Sequence, residues 1–171
     1  MKISHECPIS LLEESREFND YDYALVHLFE ENEDYFEFFK ESISLGRKVI
    51  LDNSIFELEK AFNPERFAYW INRLQPTEYI IPDVLESCQG TMSQARQWNK
   101  HYGLLPGEKI GVVQGKNLKE IIHCYEVLDR EINVDKIAIS FDYSYYQKIC
   151  PHPNKWYSWA IGRVTLITQL L

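Results

Sequence analysis

Four short apolar runs, each closing on a polar residue, constrain this chain more than anything else in it. Val49-Ile50-Leu51 meets Asp52, Tyr79-Ile80-Ile81 leads to Asp83, Ile110 to Val113 meets Gln114, and Ile137 to Phe141 meets Asp142. The polar tips recur at steps of about 30 residues, the length of one strand with its crossover helix. A fifth run, YALVHL at 23–28, precedes them. Continuous apolar runs this short suit strands buried on both faces, as in a parallel sheet. Strands are therefore expected at 23–28, 48–52, 79–83, 109–114 and 136–142.

Helical patterns fill the gaps. In NPERFAYWINRL, Asn63 suits the cap, Pro64 the first helical position, and Phe67, Trp70, Ile71 and Leu74 form one apolar face. In NLKEIIHCYEVL, Asn117 and Glu120 have capping-box spacing ahead of a stripe from Leu118 to Leu128. EENEDYFEFFKESISLG ends near Gly46, TMSQARQWNKHYG ends near Gly103, and NKWYSWAIGRVTLITQLL supplies a terminal helix. Alternating strand and helix define an α/β chain. The expected fold is a (β/α) barrel of the TIM type, partial or truncated, with about five βα units in one domain spanning 1–171 and incomplete at its C-terminal end. A five-stranded flavodoxin-like sheet is the alternative.

The 171 residues, 45% hydrophobic and 14% aromatic, suffice for one core. No apolar stretch approaches the roughly 18 residues of a membrane span. Cys7, Cys88, Cys124 and Cys150 form no CxxC pair, so reduced thiols in a cytoplasmic protein are expected. A net charge of −8 argues against a general nucleic-acid coat, while leaving room for a local basic patch.

At a barrel's mouth the strand tips converge, so Asp52, Asp83, Gln114 and Asp142 are candidates for one site. Asp52 and Asn53, followed by Phe56-Glu57, offer polar edges beside an aromatic face, which is what holding a flat heterocycle requires. Asp83 adds an acceptor, Gln114 a donor and an acceptor, and Gly115 room for a ligand to approach the backbone. Each Asp also suits a helix cap, the simpler role for either one alone. His27 is a minor candidate, and FDYSYY (141–146) reads either as a loop over the pocket or as a packed lid. The acidic run at 30–34 fits a solvated helix start, and His5, His101 and His123 lack convergent metal spacing.

These residues carry a resemblance. The chain resembles the tRNA-guanine transglycosylase (queuine tRNA-ribosyltransferase) superfamily, in particular its divergent phage-type members tied to 7-deazaguanine modification of DNA. The family's D-S-G-G-F-Q segment is similar to D-N-S-I-F-E at Asp52 to Glu57, and its G-I-V-Q-G-G segment to Gly111 to Lys116. The resemblance implies a glycosyltransferase exchanging the base in tRNA or DNA, in the host cytoplasm if phage-encoded. It implies base recognition and proton handling by Asp52, stacking by Phe56, and reading of a guanine or 7-deazaguanine edge by Asp83 and Gln114. Ser54 and Ile55 replace the family's paired glycines, and Glu57 its glutamine. The family's nucleophilic aspartate and zinc site lie on later segments than Leu171, and Cys150 with His152 does not replace the latter. Hence no cofactor is expected, exchange by this chain alone is expected to be weak or absent, and self-association or a completing partner is expected. Two rivals stand beside this: a non-catalytic base-binding module, and an unrelated barrel hydrolase or lyase using Asp52 and Asp83 as an acid/base pair.

Overall fold

Residues 2–140 and 143–170 are described by the structure, a computed structural model. After a 3-10 turn at Ile9–Leu11 the order is α1 (Leu12–Phe18), β1 (Asp22–Leu25), α2 (Val26–Glu31), α3 (Glu33–Ser44), β2 (Val49–Asp52), α4 (Ile55–Leu58), α5 (Pro64–Leu74) and β3 (Glu78–Ile80). Then come α6 (Cys88–Tyr102), β4 (Glu108–Val113), α7 (Leu118–Glu126) with a π-helical extension at Val127–Ile132, β5 (Lys136–Ile139), α8 (Ser144–Ile149) and α9 (Lys155–Leu170). The strands form one all-parallel sheet in the order β1-β2-β3-β4-β5.

Alternation along the strands sorts the side chains onto two faces. Ala24, Val49, Leu51, Tyr79, Ile81 and Val113 join the main core with helical residues such as Phe29, Phe39, Phe67, Trp70, Trp98 and Ile121. Ile50, Ile80 and Ile110 form a separate small cluster with Tyr23, Val112 and Ala138, and no helical residue belongs to it. Most of the helical side chains thus pack on one face, while the small cluster on the other is made of strand side chains and Tyr21.

Caps fix where the helices begin. Asn63 Oδ1 accepts from Arg66 N at 3.0 Å with Pro64 next in line. Asn117 Oδ1 accepts from Glu120 N at 3.1 Å, while the Glu120 carboxylate takes Lys116 N at 2.9 Å and Asn117 Nδ2 at 2.7 Å. α3 ends as expected, with Gly46 at φ +76°.

Several boundaries differ from the expectation. The run at 23–28 splits: β1 stops at Leu25 and Val26 to Glu31 coil into α2, carrying His27 off the sheet. A continuous apolar run does not distinguish a strand from a buried helical turn. β3 and β5 stop at Ile80 and Ile139, so Asp83 lies in the loop beyond its strand. In FDYSYY, Tyr143 is buried and Ser144 starts α8; the Tyr143 hydroxyl donates to Val113 O and that of Tyr146 to Ser140 O at 2.7 Å. From Tyr143 onward the segment is packed structure and not an open loop. Phe141 and Asp142 lie outside the described residues.

Candidate functional site

The cavity that gathers most of the expected residues lies on the face of the small cluster and runs to the C-terminal ends of the strands, with a volume of about 740 Å³. Ile80, Val112 and Ala138 furnish an apolar floor; Asp52, Asn53, Phe56, Glu57, Asp83 and Gln114 stand around it. Tyr23 and Glu6 complete the wall. Among the described lining residues there are four carboxylates and no Lys or Arg.

The turn after β2 is built by its own polar side chains. Asp52 Oδ1 accepts from Ser54 N at 2.5 Å and Asn53 Oδ1 from Ile55 N at 3.0 Å, which folds the chain back at once into α4. Ser54 adopts the left-handed conformation, φ 57°, uncommon for a residue other than glycine. Its hydroxyl accepts from His27 N at 3.3 Å. The sharp turn leaves Phe56 on α4 65% exposed, at the opening between the main cavity and a neighbouring hollow lined by Gln147 and Trp159.

Asp52 is held on both oxygens, Oδ2 accepting from the Tyr23 hydroxyl. Burial pushes its carboxyl up to about 6; Asp83 and Glu57 add to this, while the Tyr23 and Ser54 bonds oppose it. Burial, then the charge of Asp52, raise the Tyr23 phenol well above its ordinary range. Burial also raises Asp83, against the bonds from Asn53 and Gln114. Asp52 is consequently the carboxyl placed to exchange a proton near neutrality.

Asp83, 1% exposed, sits in a closed network. Oδ1 accepts from Asn53 Nδ2 at 2.9 Å and Oδ2 from Gln114 Nε2 at 2.7 Å. Asn53 Nδ2 also donates to Ile81 O at 3.0 Å, and Gln114 Oε1 accepts from Glu86 N at 2.9 Å. The network ties the ends of β2, β3 and β4 together. As an acid/base pair Asp52 and Asp83 would be unequal: both are bonded on both oxygens, but Asp83 is 1% exposed whereas Asp52 is half-buried at the cavity wall.

Gly115 is not among the residues lining the cavity, and α7 packs closely against it. A Cβ there would meet Glu120 Cβ and Ile121 N, both at 2.9 Å, so the close approach is by the first turn of α7 and not by a ligand. Two wall residues were missed. Tyr23 carried a signal, an aromatic hydroxyl at an inward position of a strand, whereas Glu6 lies in a segment without periodicity. Cys150 and His152 gather no third ligand: among the described residues no group of three or more His, Cys, Asp or Glu is arranged to hold a metal ion. Likewise, no described helix is long and apolar enough to cross a membrane.

Compared with known proteins, the chain matches no protein-family model and no curated sequence.

Proposed function

We propose that this chain is a transglycosylase-like protein that binds guanine or a 7-deazaguanine in the cavity at the strand ends, as part of base exchange in tRNA or DNA. The observation that carries this reading is the cavity's chemistry: acceptor carboxylates without Lys or Arg, above an apolar floor, with the exposed Phe56 ring at the opening. A guanine edge offers N–H donors and a flat ring offers a stacking face, so each side of the base finds its complement. Phosphate finds none there; the polymer lies outside and only the base enters.

Two further features support it. The sequential order β1-β2-β3-β4-β5, with most helical side chains in one core and a separate cluster on the other face, suits consecutive units of a (β/α) barrel better than a sheet whose strand order reverses at a switch point. Ser54 keeps the left-handed backbone that a glycine in the family's D-S-G-G-F-Q segment would adopt without strain. In this reading Asp52 recognises the base and handles its proton, with Tyr23 holding the carboxylate in place.

The second reading, a base-binding module completed by a partner or a second copy, is favoured by the outer edge of β5, unpaired among the described residues, and by the apolar side chains α9 leaves exposed.

Calorimetric titration of the chain with guanine, 7-deazaguanine and adenine tests the binding common to both readings. Guanine and 7-deazaguanine are expected to bind and adenine not; Phe56→Ala is expected to weaken binding by about 1–3 kcal/mol, the stacking energy of one base on an aromatic ring. Equal affinity for adenine, or no effect of Phe56→Ala, would refute it.

A further inference from the structure

Guanine presents an N–H donor at ring N1 and two at the exocyclic amino group, the second of which points away from N1, so one carboxylate does not meet all three. Asp83, the acceptor expected to share this work with Asp52, is 1% exposed and enclosed by Asn53 and Gln114, whereas Asp52, though bonded to Tyr23 and Ser54, is half-buried at the cavity wall. Another carboxylate arrives from the N-terminal segment. That segment is strapped to the approach to β1: Ile3 N donates to Asp20 Oδ2 at 2.7 Å and Asp20 N to Ile3 O at 2.8 Å. His5 N donates to Asn19 Oδ1 at 2.8 Å, and Asn19 Nδ2 returns a bond to His5 O at 3.0 Å. With Ile3 and His5 anchored, the next residue, Glu6, takes a place in the cavity wall, where burial and then the charge of Glu57 raise its carboxyl above the ordinary range.

We infer that Glu6 is a specificity-determining residue of the proposed base site: it accepts from the exocyclic amino group of a guanine-type base, while Asp52 accepts from the ring N–H. The inference rests on the base-binding reading. It makes the strap a part of the site, so that selection for a 2-amino purine depends on a residue distant in sequence from the D-N-S-I-F-E turn.

The experiment is calorimetric titration of the full chain, as wild type, Glu6→Gln and Glu6→Ala, with guanine and with hypoxanthine, which lacks only the amino group. Wild type is expected to prefer guanine by about tenfold or more, the worth of one hydrogen bond to a charged acceptor. Glu6→Ala is expected to bind the two purines alike, and Glu6→Gln, which keeps one acceptor oxygen, to show an intermediate ratio. Thermal unfolding monitors the strap; if Glu6→Ala loosens it, the near-isosteric Glu6→Gln decides. A wild type that prefers guanine, with the ratio retained in both variants, overturns the role of Glu6 and leaves the base site standing. A wild type that binds neither purine removes the base site, and this inference with it.

Discussion

Asp52 carries its charge where burial disfavours charge, and that has a thermodynamic consequence beyond binding. Its carboxyl titrates near 6 in the folded chain, against an unfolded value near 3.9. Between these values the folded state holds the extra proton, so stability falls as pH rises through the window and is flat above it. Asp52→Asn, which keeps the shape and can still meet Ser54 N and the Tyr23 hydroxyl, removes that penalty. The variant is expected to gain up to about 2–3 kcal/mol over wild type at pH 7.5 and little at pH 3.5, read from urea unfolding at each pH. An equal difference at both values would show that the carboxylate is not destabilised by its site. Tyr23→Phe tests the same group from the other side: the hydroxyl favours the charged form, so its loss is expected to move the Asp52 midpoint above 6, measured on the side-chain carboxyl carbon by NMR. Asp52, Asn53 and Phe56 were legible because a polar burst after an apolar run marks a strand end. Which carboxylate stays responsive to a ligand was not legible, because it depends on Asn53 and Gln114 reaching Asp83 across three strands.

At the scale of elements, α7 is seated by two residues of different kinds. Asn117 caps it, a local device visible in sequence, and replacement by Ala is expected to cost about 1 kcal/mol. Gly115 lets its first turn come close, and that is a contact between units which sequence shows only as a glycine after a strand. In Gly115→Ala the added methyl would meet a backbone nitrogen at 2.9 Å, which cannot swing aside as a side chain would. A larger loss, roughly 1–3 kcal/mol, is expected from overpacking, together with weaker base binding because the adjacent Gln114 holds Asp83. Denaturant midpoints of the two variants compared with wild type check the ranking; a Gly115→Ala protein as stable as wild type would mean that α7 does not press on this position. The capped helices were legible because caps and stripes are local. The split of 23–28 into β1 and α2 was not, since both states bury the same apolar residues.

For the whole molecule, the spacing of strand tips could not choose between a barrel and a doubly wound sheet, as each uses the same unit length and the difference lies in long-range pairing, which spacing does not record. Charge also divides along the sheet. At the N-terminal ends of the strands carboxylates are paired, Asp22 with Arg47 at 2.7 Å and Glu78 with Lys48 and Lys136, whereas the carboxylates of the cavity have no Lys or Arg beside them in its wall. The remaining question is what covers the surfaces that the five strands and their helices leave open. α9 buries Ser158, Trp159, Gly162 and Leu166, with Gly162 so close to Tyr146 that a Cβ would meet its Cβ at 2.7 Å. Its other side exposes Trp156, Tyr157, Ile161, Val164 and Ile167, with Trp156 at 62% and Val164 at 64%. A helix apolar on both sides is typical of one packed on both sides. If a second copy completes the module, the chain is expected to sediment as a dimer or larger species at micromolar concentration. The double variant Ile161→Glu, Val164→Glu is expected to sediment as a monomer with its unfolding nearly unchanged, because exposed positions tolerate substitution within about 0.5 kcal/mol each. Loss of stability together with loss of association would instead place these residues in the fold of the single chain. A monomeric wild type would remove the second copy as the completing chain and leave a different partner as the form of that reading still to be met.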